Sequence, residues 1–246
     1  MVSREHISKQ FDADLESLRM SVLQMGGLVE GQIEHAVKAL TTANKDLIDQ
    51  VVADDYRVND MEVSIDEICS QIIARRQPTA SDLRMIIMVI KIITDLERMG
   101  DEAAKIARMA KLIYADDRIH KPRFIEIRHV ANIAMEMLRK SLDAFARLDV
   151  AAAAQVARQD ELVDEEFRSI IRQLITLMME DPRNISSSIE ILFAAKAIER
   201  IGDHAKNMSE YVIYLVKGKD VRHVGIEEIE LLQDEFAAAV AASQQG

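Results

Sequence analysis

Leu96-Glu97-Arg98-Met99-Gly100-Asp101 returns 102 positions later as Ile198-Glu199-Arg200-Ile201-Gly202-Asp203. Each copy sits inside a long stretch whose apolar residues recur at i, i+3, i+4 and i+7, the spacing of one helix face. Glu and Asp four residues apart then project from the same face, where like charges repel by roughly 0.2–0.5 kcal/mol. A glycine in a helix interior costs about 1 kcal/mol relative to alanine. Two unfavourable features in the same register, twice, mark a duplicated unit and a candidate site.

Outward from the signature, the repeat extends to whole helices. At an offset of 105, Val37 aligns with Leu142, Leu40 with Phe145, Val51 with Val156, Asp55 with Asp160, Val58 with Val163 and Ile65 with Ile170. The offset falls to 102 at the signature, and Pro-containing loops absorb the difference because no regular backbone bonding is lost there. Six long helices are predicted near residues 4–42, 46–76, 80–115, 122–148, 150–180 and 186–217, with a short one near 226–242. Thr41-Thr42-Ala43-Asn44 separates the first pair. Pro78-Thr79-Ala80-Ser81-Asp82 supplies a stop and an N-cap at Ser81, and Pro182-Arg183-Asn184-Ile185-Ser186 does the same in the second half. The predicted fold class is all-α: two tandem homologous three-helix bundles, 4–117 and 121–218, plus a helical tail over 225–246. The junction from Asp116 to Pro122 is short, which predicts bundles packed closely together. Leu83, Ile86, Ile87, Ile90 and Ile93 read as a buried stripe, and Met85, Met88, Met178 and Met179 as core fillers.

Composition supports this class and removes others. Only 8 Gly and 3 Pro punctuate 246 residues, as expected for a chain that is nearly all helix. A formal charge of −11 with no dense Lys/Arg stripe repels phosphodiester backbones, so no nucleic-acid partner is expected. The single cysteine, Cys69, falls between Ile68 and Ile72 and reads as a small buried hydrophobe in a reducing compartment. The first residues contain no apolar leader core. The apolar runs Met85–Ile93 and Ile191–Ile198 are interrupted by Lys91 and Lys196, far short of the ~20 residues that span a bilayer. A cytoplasmic protein without membrane insertion is expected.

The second helix of each repeat carries its own polar pair, Asp55-x-x-x-Asn59 and Asp160-x-x-x-Asp164. Neighbouring helices that turn these towards Glu97 and Asp101, or towards Glu199 and Asp203, would gather four oxygen-bearing side chains per bundle. Oxygen ligands suit magnesium, calcium or manganese, and clustered carboxylates also bridge iron or zinc. The bland alternative is solvation, or pairing with Arg98, Lys105 and Arg200. Gly100 and Gly202 would let the partner helix, or an ion, approach the backbone. Asn59 replaces an acid, so the first site is expected to be less anionic and to bind more weakly. His204 has no counterpart, since Glu102 stands at its place, and reads as a solvated helix residue. A carboxylate-bridged di-metal helical-bundle enzyme is the alternative, but it needs two Glu-x-x-His motifs. The chain offers Glu126-Ile127-Arg128-His129, outside the repeat pairing. Gly-rich phosphate loops, nucleophile elbows, His-Glu-x-x-His and Cys-x-x-Cys are all lacking, so no enzyme is expected.

The duplicated layout, both Glu-Arg-x-Gly-Asp segments and the stretch Asp55-Tyr56-Arg57-Val58-Asn59-Asp60-Met61-Glu62 resemble the bacterial PhoU family of phosphate-specific transport accessory proteins. The resemblance spans about residues 5–218. It implies a cytosolic, non-catalytic regulator that couples the phosphate ABC transporter, through its ATPase subunit, to a membrane sensor histidine kinase. Such a regulator represses the phosphate-starvation response and restrains phosphate uptake. The resemblance also implies a homodimer, for which the Ala151–Ala154 face offers surface, and metal (iron, zinc, magnesium or manganese) at Glu97, Asp101, Glu199 and Asp203. Asp160 and Asp164 are the neighbouring acidic pair; Asp55 and Asn59 match less well.

Overall fold

The computed structural model describes residues 9–115 and 125–221. Six α-helices follow one another: α1 (Lys9–Thr42), α2 (Lys45–Arg76), α3 (Ala80–Ile113), α4 (Ile125–Arg147), α5 (Val150–Glu180) and α6 (Ile185–Lys217), with a 3-10 turn at Pro182–Asn184 before the last. The expectations for residues 4–8, for the junction 116–122 and for the tail 225–246 lie outside the described residues.

The duplication is written into the turns. Ala43 (φ 57°) and Leu148 (φ 55°) occupy equivalent places, and each puts a non-glycine residue in the left-handed region, at a cost of about 1–2 kcal/mol. The next residue offsets it by capping: Asn44 Oδ1 accepts from Leu47 N at 3.1 Å, and Asp149 Oδ1 from Ala151 N and Ala152 N at 2.9 and 3.1 Å. At the head of α3 the cap is Thr79, not Ser81. Helical backbone already begins at Ala80, leaving Ser81 inside the first turn, while the Thr79 carbonyl accepts from Leu83 N at 2.8 Å. Nor is Ser186 the N-cap of α6, which is Asn184: the helix starts at Ile185, out of a turn with Pro182 in its first positions and the Asp181 carboxylate on Arg183 N.

Each bundle packs its three helices mutually, and α3 and α6 form the spine where the bundles meet, supported by α1 against α4. The spine helices are antiparallel, because Arg84 stacks on Tyr214, Lys91 on Tyr211, and further along Asp95 meets His204 and Glu102 meets Arg200. Small residues are frequent in the core of both spine helices: Ala103, Ala107 and Ala110 on α3, and Ala194, Ala197 and Ala205 on α6, are all fully buried. Cys69 is buried as expected, and burial pushes its thiol up to about 12. Three readings of the core change. Ile87, one position round the helix from buried Ile86, is 41% exposed and rims a cavity of about 120 Å³ with Arg84, Lys91, Tyr211 and Tyr214. Met179, in the last turn of α5, is 80% exposed, while Met178 packs on the core. On the Ala151–Ala154 face, Ala153 and Ala154 are buried within the bundle, so only its edge is surface.

Candidate cation sites

Val58 and Val163 place the two clusters. A Cβ on Gly100 would lie 3.3 Å from Val58 Cγ1, and one on Gly202 would lie 3.3 Å from Val163 Cγ1. The signature glycines thus let α2 approach α3, and α5 approach α6, in the same register. That register brings the flanking acids level with one another.

In the first bundle the convergence is electrostatic. Burial pushes the Glu97 carboxyl up, and Asp101, Glu62 and Asp55 push it further, against a smaller opposing field from Arg98. Asp55 is also raised by burial. A hydrogen bond from Gln32 lowers it, Asp101 raises it and the field of Arg108 lowers it again. Gln32, on α1, is 6% exposed; its Nε2 donates to Asp55 Oδ1 at 3.2 Å. Its Oε1 is buried with no partner and lies 3.2 Å from where a Gly100 Cβ would stand. An unsatisfied buried oxygen of this kind costs about 1–3 kcal/mol. Glu62 accepts from Thr94 Oγ1 at 3.2 Å. Asn59 is exposed and no contact ties it to the others.

In the second bundle, burial and then Glu199, Asp160 and Asp164 hold the Asp203 carboxyl up at about 6, against a smaller opposing field from Lys196. Lysines enter here as partners. Lys196 Nζ donates to both Glu199 oxygens at 2.6 Å and sits 5.4 Å above the Phe167 ring. Lys206 Nζ donates to Asp160 Oδ2 at 2.7 Å. Burial pulls the Lys206 ammonium down, but the Asp160 carboxylate leaves it raised overall. Asp164 pairs with Arg168 at 3.5 Å.

The expectation that the first cluster is the less anionic is therefore reversed. Glu62 makes good the acid lost at Asn59, and no Lys or Arg forms a salt bridge to Asp55, Glu97 or Asp101 among the described residues. The second cluster holds four acids and two lysines. Arg98, Lys105 and Arg200, the expected neutralisers, turn elsewhere: Arg98 towards Asp95 at 4.0 Å, Lys105 and Arg200 to Glu102 at 3.3 and 2.5 Å. His204 is likewise not solvated. It is 7% exposed on the α6 face that meets α3, with Nδ1 2.7 Å from Asp95 Oδ1. Asp95 and Glu102, both buried, thus lock the two bundles together. Among the described residues, no three His, Cys, Asp or Glu side chains are close enough together to hold a metal ion in these rotamers. Glu126 and His129 stand outside both clusters, and His129 is exposed, 3.9 Å from Glu166.

The PhoU domain model matches residues 22–110 and again 127–212, one match on each bundle. The chain belongs to the PhoU domain family. It is 50% identical over 230 residues to the phosphate-specific transport system accessory protein PhoU homolog of Pseudomonas aeruginosa, covering 92% of this chain and 94% of that protein. It is 47% identical over 228 residues to the PhoU accessory protein of Escherichia coli K12, covering 93% and 94%. Among solved structures, PhoU from Pseudomonas aeruginosa superposes with a TM-score of 0.81 at 49% identity, over 85% of this chain and all of that one. The phosphate transport system regulatory protein PhoU from Streptococcus pneumoniae gives 0.79 at 28% identity, over 86% and 99%. The PhoU fold thus accounts for both bundles. Among the described residues no helix is long and apolar enough to cross a membrane.

Proposed function

We propose that this chain is a non-catalytic cytoplasmic regulator of phosphate homeostasis, acting as a homodimer between the phosphate ABC transporter and a sensor histidine kinase. It represses the phosphate-starvation response and restrains uptake when phosphate is plentiful. The observation that carries this reading is full-length similarity to accessory proteins of the phosphate-specific transport system, at up to 50% identity.

A divalent or transition metal ion at each cluster is part of the proposal. The donor chemistry fits: partly buried carboxyls that raise one another, with one amide oxygen left without a donor, gain from a cation. Glu97, Asp101, Asp55 and, beside them, Glu62 would hold it in the first bundle. In the second, Glu199, Asp203, Asp160 and Asp164 would do so by releasing Lys196 and Lys206. When bound, the ion supplies charge neutralisation, which would make the acidic bundle face competent to contact a partner. Side chains must swing to ligate, because the rotamers present do not gather three of them.

Pull-down of the kinase and of the transporter ATPase with the full chain, from cells grown at high and at low phosphate, tests the reading. Capture of both that changes with phosphate is expected. Capture of neither under either condition would overturn it.

A further inference from the structure

The structure assigns to Gln32, the one polar side chain that α1 buries at the first cluster, the role of an oxygen ligand for a hard divalent cation held with Asp55, Glu97 and Asp101. This rests on the cation reading above and extends it to a third helix that carries no acidic motif. Three observations support it. Gln32 Oε1 is buried without a hydrogen-bond partner, although the same amide satisfies its nitrogen on Asp55 Oδ1. That oxygen lies 3.2 Å from where a Gly100 Cβ would stand, at the residue directly before Asp101 and three after Glu97, while the amide nitrogen of the same side chain is on Asp55. A buried carbonyl oxygen is satisfied only by a donor or a cation, and ionised acids bring no donor.

The second bundle shows that packing does not require the amide. At the offset of 105 that relates α1 to α4, Gln32 corresponds to Met137, which is fully buried and makes no polar contact. An unbranched apolar chain of the same length therefore fills this place in the same three-helix arrangement. The first site accordingly becomes an all-oxygen one, three carboxylates and a neutral carbonyl, suited to magnesium, manganese or calcium. The second lacks the neutral oxygen and carries lysines instead. The inferred difference is one of chemical selectivity as well as affinity.

Manganese titration of the metal-stripped full chain, with free Mn²⁺ read by its electron paramagnetic resonance signal, tests this. The wild type, Gln32→Met, Gln32→Glu and the double variant Glu97→Gln/Asp101→Asn are compared, with thermal unfolding as the folding control. Gln32→Met is expected to weaken the tighter class of site by roughly 10-fold and leave the other class unchanged. Gln32→Glu, which puts an anionic oxygen in the same place, is expected to tighten it. If the double variant abolishes the tighter class but Gln32→Met leaves it intact, Gln32 is no ligand and only the cation reading survives. Weakening by both Gln32 variants would mean that the amide acts through its N–H on Asp55, which also overturns the assignment. Uptake unaffected by the double variant would remove the cation reading itself.

Discussion

The two acidic clusters share one backbone frame and have diverged in what fills it. Val58 on Gly100 matches Val163 on Gly202, and the left-handed turn residues Ala43 and Leu148, each followed by a capping Asx residue, match as well. At the polar positions the copies part. Where the first has Glu62 accepting from Thr94, the second has Phe167 beneath Lys196; where the first has Ala104, the second has Lys206; and Gln32 faces Met137. Helix register follows from apolar contacts and small residues, whose volumes allow few alternatives. Charge at a half-buried surface can change by one residue at a time without moving the backbone. Two copies of one motif can therefore be one structural element and two different sites.

Breaking the spine that both bundles share is expected to cost most. Replacing His204 with Leu leaves the Asp95 carboxylate, 2% exposed, with Asn207 at 3.5 Å and Arg98 at 4.0 Å as its partners among the described residues. A loss of about 3 kcal/mol is expected. It should appear in chemical denaturation as one cooperative transition shifted down, because the spine belongs to both bundles.

Gly100→Val and Gly202→Val overpack one interface each, where even a Cβ already stands 3.2–3.3 Å from its neighbours. About 2 kcal/mol apiece is expected, with the cation affinity of the altered bundle falling and that of the other unchanged in direct titration.

Asp203→Asn should stabilise the metal-free protein at neutral pH. Its folded carboxyl sits at about 6 against 3.8 for the free group, so the folded chain holds that proton more tightly than the unfolded chain. The carboxyl's contribution is fully present below about pH 4, is lost as pH rises through about 6 and is a penalty above it. Thermal melts should show the Asn variant ahead by about 2 kcal/mol at pH 7 to 8, the gain shrinking below pH 6 and vanishing near pH 4. Asp55→Asn should show a gain of the same sign, since its carboxyl too is raised.

The smallest effect converts one cluster towards the other. Lys196→Thr, which installs the residue of the first bundle, removes a half-exposed ion pair with Glu199 and should cost less than about 1 kcal/mol without divalent ions. Calorimetric titration should show a modest gain in cation affinity at the second cluster.

The helices, their order and the duplication were legible because α-periodicity survives along thirty residues, and loop chemistry marks the breaks. The carboxylates that approach one another were legible for the same reason: Glu97 and Asp101, like Glu199 and Asp203, lie one turn apart, and their duplication fixes the facing helix. What a helix meets beyond its own bundle was not. His204 follows Asp203 round the helix onto the face that packs on α3, and only the docking of the bundles decides that this face is buried. The pairing of Lys196 and Lys206 with the second cluster was not legible either, because a lysine's partner depends on where its long stem leads. Gln32 did leave a trace, as a polar residue between the apolar positions 29, 33 and 36 on α1 with Met137 as its counterpart, which a comparison of the two copies at that position would have exposed.

Whether both clusters hold cations is decided by equilibrium dialysis of the metal-stripped chain against Mn²⁺, followed by elemental analysis, with wild type set beside Glu97→Gln/Asp101→Asn and Glu199→Gln/Asp203→Asn. Two classes of bound ion are expected in the wild type, the tighter lost in the first variant and the weaker in the second. Equal uptake by all three proteins would contradict it.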